Sequence, residues 1–307
     1  MVSTGLPAHV LLITAFAGCI CNSLAASTAN YAWLPIRCGG EPDTPAFLQR
    51  TWPGRQLLQN GTSQWPWIAM IASSSGPALD WHCAGAIIGP QHVLTSATCL
   101  KEMSTGRLSV WAGAMYRAQG AVSGHQLREV TRVAVHPRMR SQFRDVAVLT
   151  LSDPLQATPS VQYACLPNEG SHDARAQKLL PYWGIAKDTT MNEATQKRDH
   201  LEYPIVLGQA VQKTIWPEQC SGYLSRLHNN EVPQEVSDTL ICTYTDQQDY
   251  HRECVGTRSG PLFQQQNGVY TVIGVMSMGQ ACTDHDAPNL FSSVSDPQTL
   301  HWIKSIQ

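Results

Sequence analysis

The chain has 307 residues, of which 43% are hydrophobic and 14% are charged. Such a chain is long enough for one large domain or two small barrels around real cores, and its composition argues against disorder. The formal net charge of -2 gives no overall attraction to nucleic acid or to acidic membranes, so neither is expected as a partner.

Residues 1–25 are predicted to form a secretory signal peptide. No charged side chain precedes Arg37, and the apolar run 10–20 is followed by the small residues Ala25 and Ala26. The run is too short to span a bilayer, and cleavage is expected near Ala25, with an uncleaved anchor as the alternative. Residues 26–55 are rich in Pro, Gly, Thr and Ala and are predicted to be an extended, propeptide-like leader of a secreted, extracellular protein.

Cysteine usage supports export. Two of the ten cysteines, Cys19 and Cys21, would leave with the signal peptide. The eight that remain are an even number in a chain sent to an oxidising compartment, so they predict four disulfides, although spacing alone does not choose the pairing. A zinc site is disfavoured because no Cys-x-x-Cys pair occurs, and neither a metal nor a cofactor is expected.

From Trp65 onward the sequence has an all-β pattern that ends in one helix. Short runs rich in Val, Ile and aromatic residues alternate with turns at roughly 10-residue spacing. The predicted strands are 67–72, 107–111, 129–135, 145–151 and 269–278. At the C-terminal end, Ser295 or Asp296 can cap a helix with Pro297 in its first turn, and apolar residues recur from Leu300 to Ile306.

Five segments, spread in order from Trp65 to Trp302, resemble landmarks of the trypsin-like serine protease family. They are WPW at 65–67, CAGAIIGPQHVLTSATC at 83–99, DVAVL at 145–149, CVGTRSGPL at 254–262 and GVMSMGQAC at 274–282. The resemblance implies an all-β, chymotrypsin-like double antiparallel β-barrel with a C-terminal α-helix over residues 56–307. It also implies four disulfides: Cys38–Cys165, Cys83–Cys99, Cys220–Cys242 and Cys254–Cys282. A further disulfide of relatives, near Lys178 and at Gln264, has lost both of its cysteines.

The residues that carry the chemistry of this family depart from its pattern. Thr98 stands at the position of the catalytic histidine and cannot act as a base near neutral pH. Arg258 replaces the nucleophilic serine, while Asp145 keeps the carboxylate of the triad. Thr257 replaces the aspartate that binds the activated N-terminus, and no IVGG segment is present. Without that ion pair, a useful orientation of the Gly256 N–H in an oxyanion hole is not expected.

Two arrangements of Arg258 are compatible with the resemblance. Its guanidinium either fills the vacated histidine position and pairs with Asp145, or points to solvent above a water-filled gap. Ser259, one residue further along, is disfavoured as a substitute nucleophile because it also lacks a base.

The resemblance assigns Arg252 to the base of the specificity pocket. There it either binds an acidic side chain or, as we favour, is neutralised by Glu253 or plugs the pocket. Ser277 and Gly279 resemble the strand that pairs with a substrate backbone, which gives an extended peptide as one hypothetical ligand, while retained fold architecture explains the same residues more simply. Asn60 begins the sequon Asn-Gly-Thr and is predicted to be a surface glycosylation site.

These features together predict a secreted, catalytically inactive serine protease homologue, a pseudoenzyme that acts as a binding or regulatory protein. The expected partner is an extracellular protease, inhibitor or receptor. One alternative is an active serine endopeptidase. The other is a heparin-binding or antimicrobial protein of the azurocidin type, which would use the densest basic stretch, although a merely solvated surface is favoured for it. That stretch contains His125, Arg128, Arg132, His136, Arg138, Arg140 and Arg144.

Overall fold

The computed structural model describes residues 38–40, 65–74, 79–101, 103, 107–113, 125–140, 142–171, 176, 178–185, 205–227, 239–245, 259–278 and 287–307. All of these residues lie in one compact unit, Ile36–Gln307. The predicted signal peptide, most of the leader and the sequon at Asn60 lie outside the described residues.

Twelve strands form two closed antiparallel barrels, as the predicted fold requires. The first barrel has the order β1-β2-β3-β6-β5-β4. Its strands are β1 Ile68–Ser74, β2 Leu79–Gly89, β3 His92–Thr95, β4 Arg107–Ala112, β5 Gln126–Val135 and β6 Ala147–Leu151. The second barrel has the order β10-β11-β12-β9-β8-β7. Its strands are β7 Lys178–Ile185, β8 Ile205–Thr214, β9 Leu240–Thr245, β10 Pro261–Gln266, β11 Val269–Met278 and β12 Asn289–Ser293.

Strand alternation builds three layers of core. Val93 of β3 and Leu149 of β6 point into the first barrel, whereas their neighbours Leu94 and Val148 point out of it. The outward residues join a cluster that also contains Phe263 and other residues of the second barrel. A third cluster, around Ile273 and Phe291, fills the second barrel. The two barrels therefore share a continuous apolar interface.

Three helices are present among the described residues: α1 Ala97–Lys101, α2 Pro217–Leu227 and α3 Pro297–Ile306. In α3 the cap is Asp296, one of the two predicted candidates, and its carboxylate accepts the N–H and the hydroxyl of Thr299 at 2.9 and 2.7 Å. Leu300 and Ile303 are fully buried, which docks α3 on the barrel interface.

The predicted strand 145–151 is wrong at its start. Asp145 lies before β6, because Arg144 has a left-handed backbone with φ 48° and the Asp145 N–H turns to the Ser292 hydroxyl at 2.8 Å. Ser292 in turn donates to the Gln142 carbonyl at 3.0 Å. This kink lets β12 of the second barrel hold the segment that presents Asp145.

A short piece of the leader is fixed to the second barrel. Cys38 is bonded to Cys165, the Gly39 N–H donates to the Tyr163 carbonyl at 2.7 Å, and the Gly39 carbonyl accepts the Tyr270 N–H at 2.8 Å. Gly39 has φ 63°, and a Cβ there would collide with the Tyr270 carbonyl oxygen. Only glycine fits this contact without a shift of the backbone.

Candidate functional site

Asp145 lies in the interface between the barrels and is fully buried. Its Oδ2 atom accepts hydrogen bonds from the Ser96 hydroxyl at 2.8 Å and from the Ser277 hydroxyl at 2.7 Å. Its Oδ1 atom accepts the main-chain N–H of Thr98 at 2.7 Å. Bonds of this kind to an ionised acceptor are roughly twice as strong as neutral ones, so three donors compensate the burial of the charge.

The donors come from different parts of the chain. Ser96 and Thr98 belong to the turn from β3 into α1, and Ser277 belongs to β11 of the second barrel. Thr98 contributes its backbone to the bond with Asp145, and its side chain offers a hydroxyl rather than an imidazole. Among the described residues, the partners of this carboxylate are therefore two hydroxyls and one amide, none of which takes up a proton near neutral pH.

Ser259, next to the position of the family's serine, contacts β2 of the first barrel. It is 4% exposed, and its hydroxyl both accepts the Ala84 N–H and donates to the Ala84 carbonyl, each at 3.2 Å. The Thr95 hydroxyl donates to the same carbonyl at 2.8 Å. The pairing of β2 with β3 begins at Ala86. At Ala84, two residues earlier in β2, the hydroxyls of Ser259 and Thr95 provide hydrogen bonds to the backbone. Ser259 also holds a left-handed backbone, φ 67°.

A sequence profile of the family described as Trypsin matches residues 59–303. The chain belongs to the trypsin family. It is 28% identical to Chymotrypsin-C of Rattus norvegicus over 265 residues, which cover 84% of this chain and 90% of that protein. It is 27% identical to Transmembrane protease serine 5 of Homo sapiens, over 87% of this chain and 52% of that protein. It is 26% identical to Serine protease Hayan of Drosophila melanogaster, over 85% of this chain and 39% of that protein.

Of the residues that resemble trypsin-family site positions, the structure brings Thr98, Asp145 and Ser277 together. The others lie outside the described residues: Arg252, Gly256, Thr257, Arg258 and Gly279. The proposed contact between Arg258 and Asp145 therefore stays a prediction. Asp145 already accepts three hydrogen bonds without that contact.

Three disulfides link the pairs implied by the trypsin-family resemblance. They are Cys38–Cys165, Cys83–Cys99 and Cys220–Cys242. The fourth implied pair, Cys254–Cys282, lies outside the described residues. Where relatives have a further disulfide, Lys178 of β7 and Gln264 of β10 are paired in register and are both buried. Gln264 also lines a cavity of about 440 Å³ with Asn168, Ser171 and Thr271 among its walls.

The basic stretch is divided between internal contacts and solvent. The Arg128 guanidinium donates to the Pro154 carbonyl at 3.2 Å, and Arg138 donates to Gln298 at 2.6 Å. Arg132 and Arg140 are exposed. The rings of His125 and Trp111 meet edge-to-face, with 4.9 Å between their centroids. Polyanion binding stays a prediction for this stretch.

His136, one member of the stretch, is buried close to charged side chains. Its Nδ1 atom accepts the Arg138 N–H at 3.2 Å, and its ring meets Trp302 of α3 edge-on at 4.9 Å. Arg144 lies nearby and pairs with the α3 cap, Asp296, at 3.3 Å. Burial first, and then the Arg144 charge, lower the pKa of His136, while Asp296 opposes that effect. Folding therefore favours the neutral imidazole.

Two further observations concern metal binding and membrane crossing. No group of three or more His, Cys, Asp or Glu side chains within the described segments is arranged to hold a metal ion. Within the same segments, no helix is long and apolar enough to cross a membrane.

Proposed function

We propose that this trypsin-family chain is a secreted, catalytically inactive homologue that acts as a binding or regulatory protein outside the cell. The observation that carries the proposal is the environment of Asp145. In a working triad the carboxylate orients an imidazole, and here it accepts the hydroxyls of Ser96 and Ser277 and the amide of Thr98.

The missing base is the first reason for inactivity. Acyl transfer needs a group that takes the proton of the nucleophile and returns it to the leaving group. Thr98 stands at the family's histidine position, and a threonine hydroxyl does not do this near neutral pH. Loss of one triad member costs roughly 10⁴- to 10⁶-fold in turnover.

The missing nucleophile is the second reason. Arg258 stands at the family's serine position and has no nucleophilic atom. Hydroxyls flank it at Thr257, outside the described residues, and at Ser259, which is buried and hydrogen-bonded to both backbone groups of Ala84. A nucleophile needs an accessible oxygen, whereas Ser259 is 4% exposed and its hydroxyl is hydrogen-bonded to Ala84.

Secretion is supported by the disulfides. Three are formed among the described residues, and such bonds persist in oxidising compartments outside the cytosol. The bond Cys38–Cys165 ties the leader to the body, so cleavage of the chain between Gly40 and Trp65 would leave the leader attached. An N-terminal secretory signal, as the sequence predicts, fits this environment.

A remaining strand edge supports a binding role. β10 pairs with β11 only as far as Val275, and the next link on that side is the Met276 N–H to the Gly260 carbonyl. Ser277 and Met278 continue β11 without a β10 partner among the described residues. An extended segment of another protein can add to such an edge through main-chain hydrogen bonds.

Hydrolysis assays test inactivity. The processed glycoprotein is expected to leave a broad library of peptide substrates uncut, even after proteolytic nicking of its leader. Cleavage that a serine-directed inhibitor abolishes would establish the alternative, an active endopeptidase like the relatives whose names say protease.

Site-specific cross-linking tests binding. A photoreactive amino acid in place of Met278 is expected to capture a defined extracellular protein from the native secretion. The matched control replaces Val269, which is 39% exposed at the opposite end of the same strand. Equal capture at both positions, or capture at neither, would contradict a binding role for this edge.

A further inference from the structure

Ser96 is a buried polar residue that the family resemblance did not single out. It is 2% exposed and lies between β3 and α1. We propose that the Ser96 hydroxyl occupies the bonding position on Asp145 that a side chain at residue 98 would use, and thereby locks this carboxylate into the scaffold. The inference rests on the proposed inactivity and explains how the protein tolerates a triad carboxylate without its histidine.

The acceptor capacity of Asp145 carries the inference. Each carboxylate oxygen has two lone pairs that accept hydrogen bonds. On Oδ2 both are used, by Ser96 at 2.8 Å and by Ser277 at 2.7 Å. Oδ1 accepts the backbone N–H of Thr98 at 2.7 Å, which uses one of its two acceptor positions. A donor from residue 98 that approaches Oδ2 must therefore displace Ser96 or Ser277.

Ser96 is held in place by a second bond. Its oxygen accepts the N–H of Cys99, three residues further on, at 3.2 Å. This is the bonding pattern of a helix N-cap, here at the start of α1. The oxygen therefore points to the helix while its proton points to Asp145. Ser96 is in this sense a positioning residue, which fixes the carboxylate and the first turn of α1 together.

The lock has a consequence for reconstruction of the site. A histidine introduced at residue 98 alone would meet a carboxylate oxygen whose acceptor positions are filled. Removal of the Ser96 hydroxyl opens one of them. A carboxylate beside an imidazole favours the protonated, charged imidazole and raises the pKa of the imidazole by about one unit or more.

NMR titration of two variants tests this. Thr98→His is compared with Ser96→Ala/Thr98→His, and the imidazole of residue 98 is followed with pH. The expected result is a pKa at least about one unit higher in the double variant, a tenfold difference in proton affinity. The matched control, Ser171→Ala/Thr98→His, removes an exposed hydroxyl elsewhere and is expected to behave like Thr98→His. Equal pKa values with and without Ser96 would overturn the proposal.

A double-mutant cycle keeps the proposal testable if the histidine variants do not fold. Ser96→Ala and Asp145→Asn are made singly and together, and urea unfolding is measured. The two losses of stability are expected to be non-additive because both changes weaken one bond. Additive losses would overturn the lock. Neither experiment depends on turnover. Hydrolysis by the native protein would contradict the proposed function, whereas the role of Ser96 is decided by the titration and the double-mutant cycle alone.

Discussion

Ser259 offers a test in which two effects of known sign oppose each other. Its left-handed backbone, φ 67°, is one that glycine adopts freely and that costs other residues about 1–2 kcal/mol. Its hydroxyl makes two hydrogen bonds to Ala84 across the barrel interface. Ser259→Ala removes the bonds and keeps the strain, whereas Ser259→Gly removes both.

The expected losses follow from these terms. Each buried neutral hydrogen bond contributes about 1 kcal/mol, so Ser259→Ala is expected to lower the free energy of unfolding by about 2 kcal/mol. Glycine recovers roughly 0.5–1 kcal/mol after its larger chain entropy is counted, so Ser259→Gly is expected to cost about 1–1.5 kcal/mol.

Urea unfolding, with thermal unfolding alongside, measures both variants. For a domain of this size 1 kcal/mol corresponds to about 2–4 °C in Tm. Ser171→Ala, which removes an exposed hydroxyl, serves as the control and is expected to change stability by less than about 0.5 kcal/mol. A glycine variant more stable than the wild type would show that the hydroxyl bridge does not stabilise the interface and would refute the reasoning.

Three further predictions concern the leader, α3 and pH. Gly39→Ala is expected to reduce the yield of folded, oxidised protein in a secretion assay, since the added Cβ meets backbone, whereas Gly170→Ala, left-handed but in open space, costs only about 1–2 kcal/mol in urea unfolding. Asp296→Ala is expected to cost about 2 kcal/mol in thermal unfolding, and Asp296→Asn less than half of that because asparagine keeps the cap. His136→Gln is expected to flatten the loss of stability below about pH 6.5, measured by urea unfolding from pH 7 to 5.

The sign of the pH effect comes from the lowered pKa. In the unfolded chain His136 binds a proton near the ordinary histidine pKa, whereas in the folded chain its pKa is lower. The unfolded state therefore binds more protons as the pH drops, and stability falls. His92, whose pKa burial also lowers, is expected to leave a residual slope in the variant. An unchanged slope in His136→Gln, equal yields of the two glycine variants, or equal losses for the two Asp296 variants would contradict the respective prediction.

Much of the fold was readable from the sequence because its signals are local. Short runs rich in Val, Ile and aromatic residues predicted five of the twelve strands described, and Pro297 after a cap at Ser295 or Asp296 predicted α3, while the double barrel was implied by the family resemblance. The helix α2 was missed, although Cys220, Leu224 and Leu227 recur at helical spacing behind Pro217. That segment is short and flanked by strands, and a periodic pattern over so few residues is a weak signal for a helix.

The site was predictable only in part, because its decisive contacts are not local. The resemblance identified Asp145, Thr98 and Ser277. It did not predict that Ser96 bonds to Asp145, since 49 residues separate them and only the closed barrel brings them together. In the same way the Ser259 hydroxyl meets Ala84 from 175 residues away. A hydroxyl in a motif carries no sequence signal of the group to which it donates.

Active-site labelling tests the central claim most directly. The native protein, intact and after its leader is nicked, is treated with a fluorophosphonate, and its intact mass is recorded beside that of an active trypsin-family protease. Because neither Arg258 nor the buried Ser259 presents an activated oxygen, we expect no adduct on this protein and one adduct per molecule on the control. A single stoichiometric adduct on the native protein, absent when the protein is denatured before labelling, would show a working nucleophile and contradict the account.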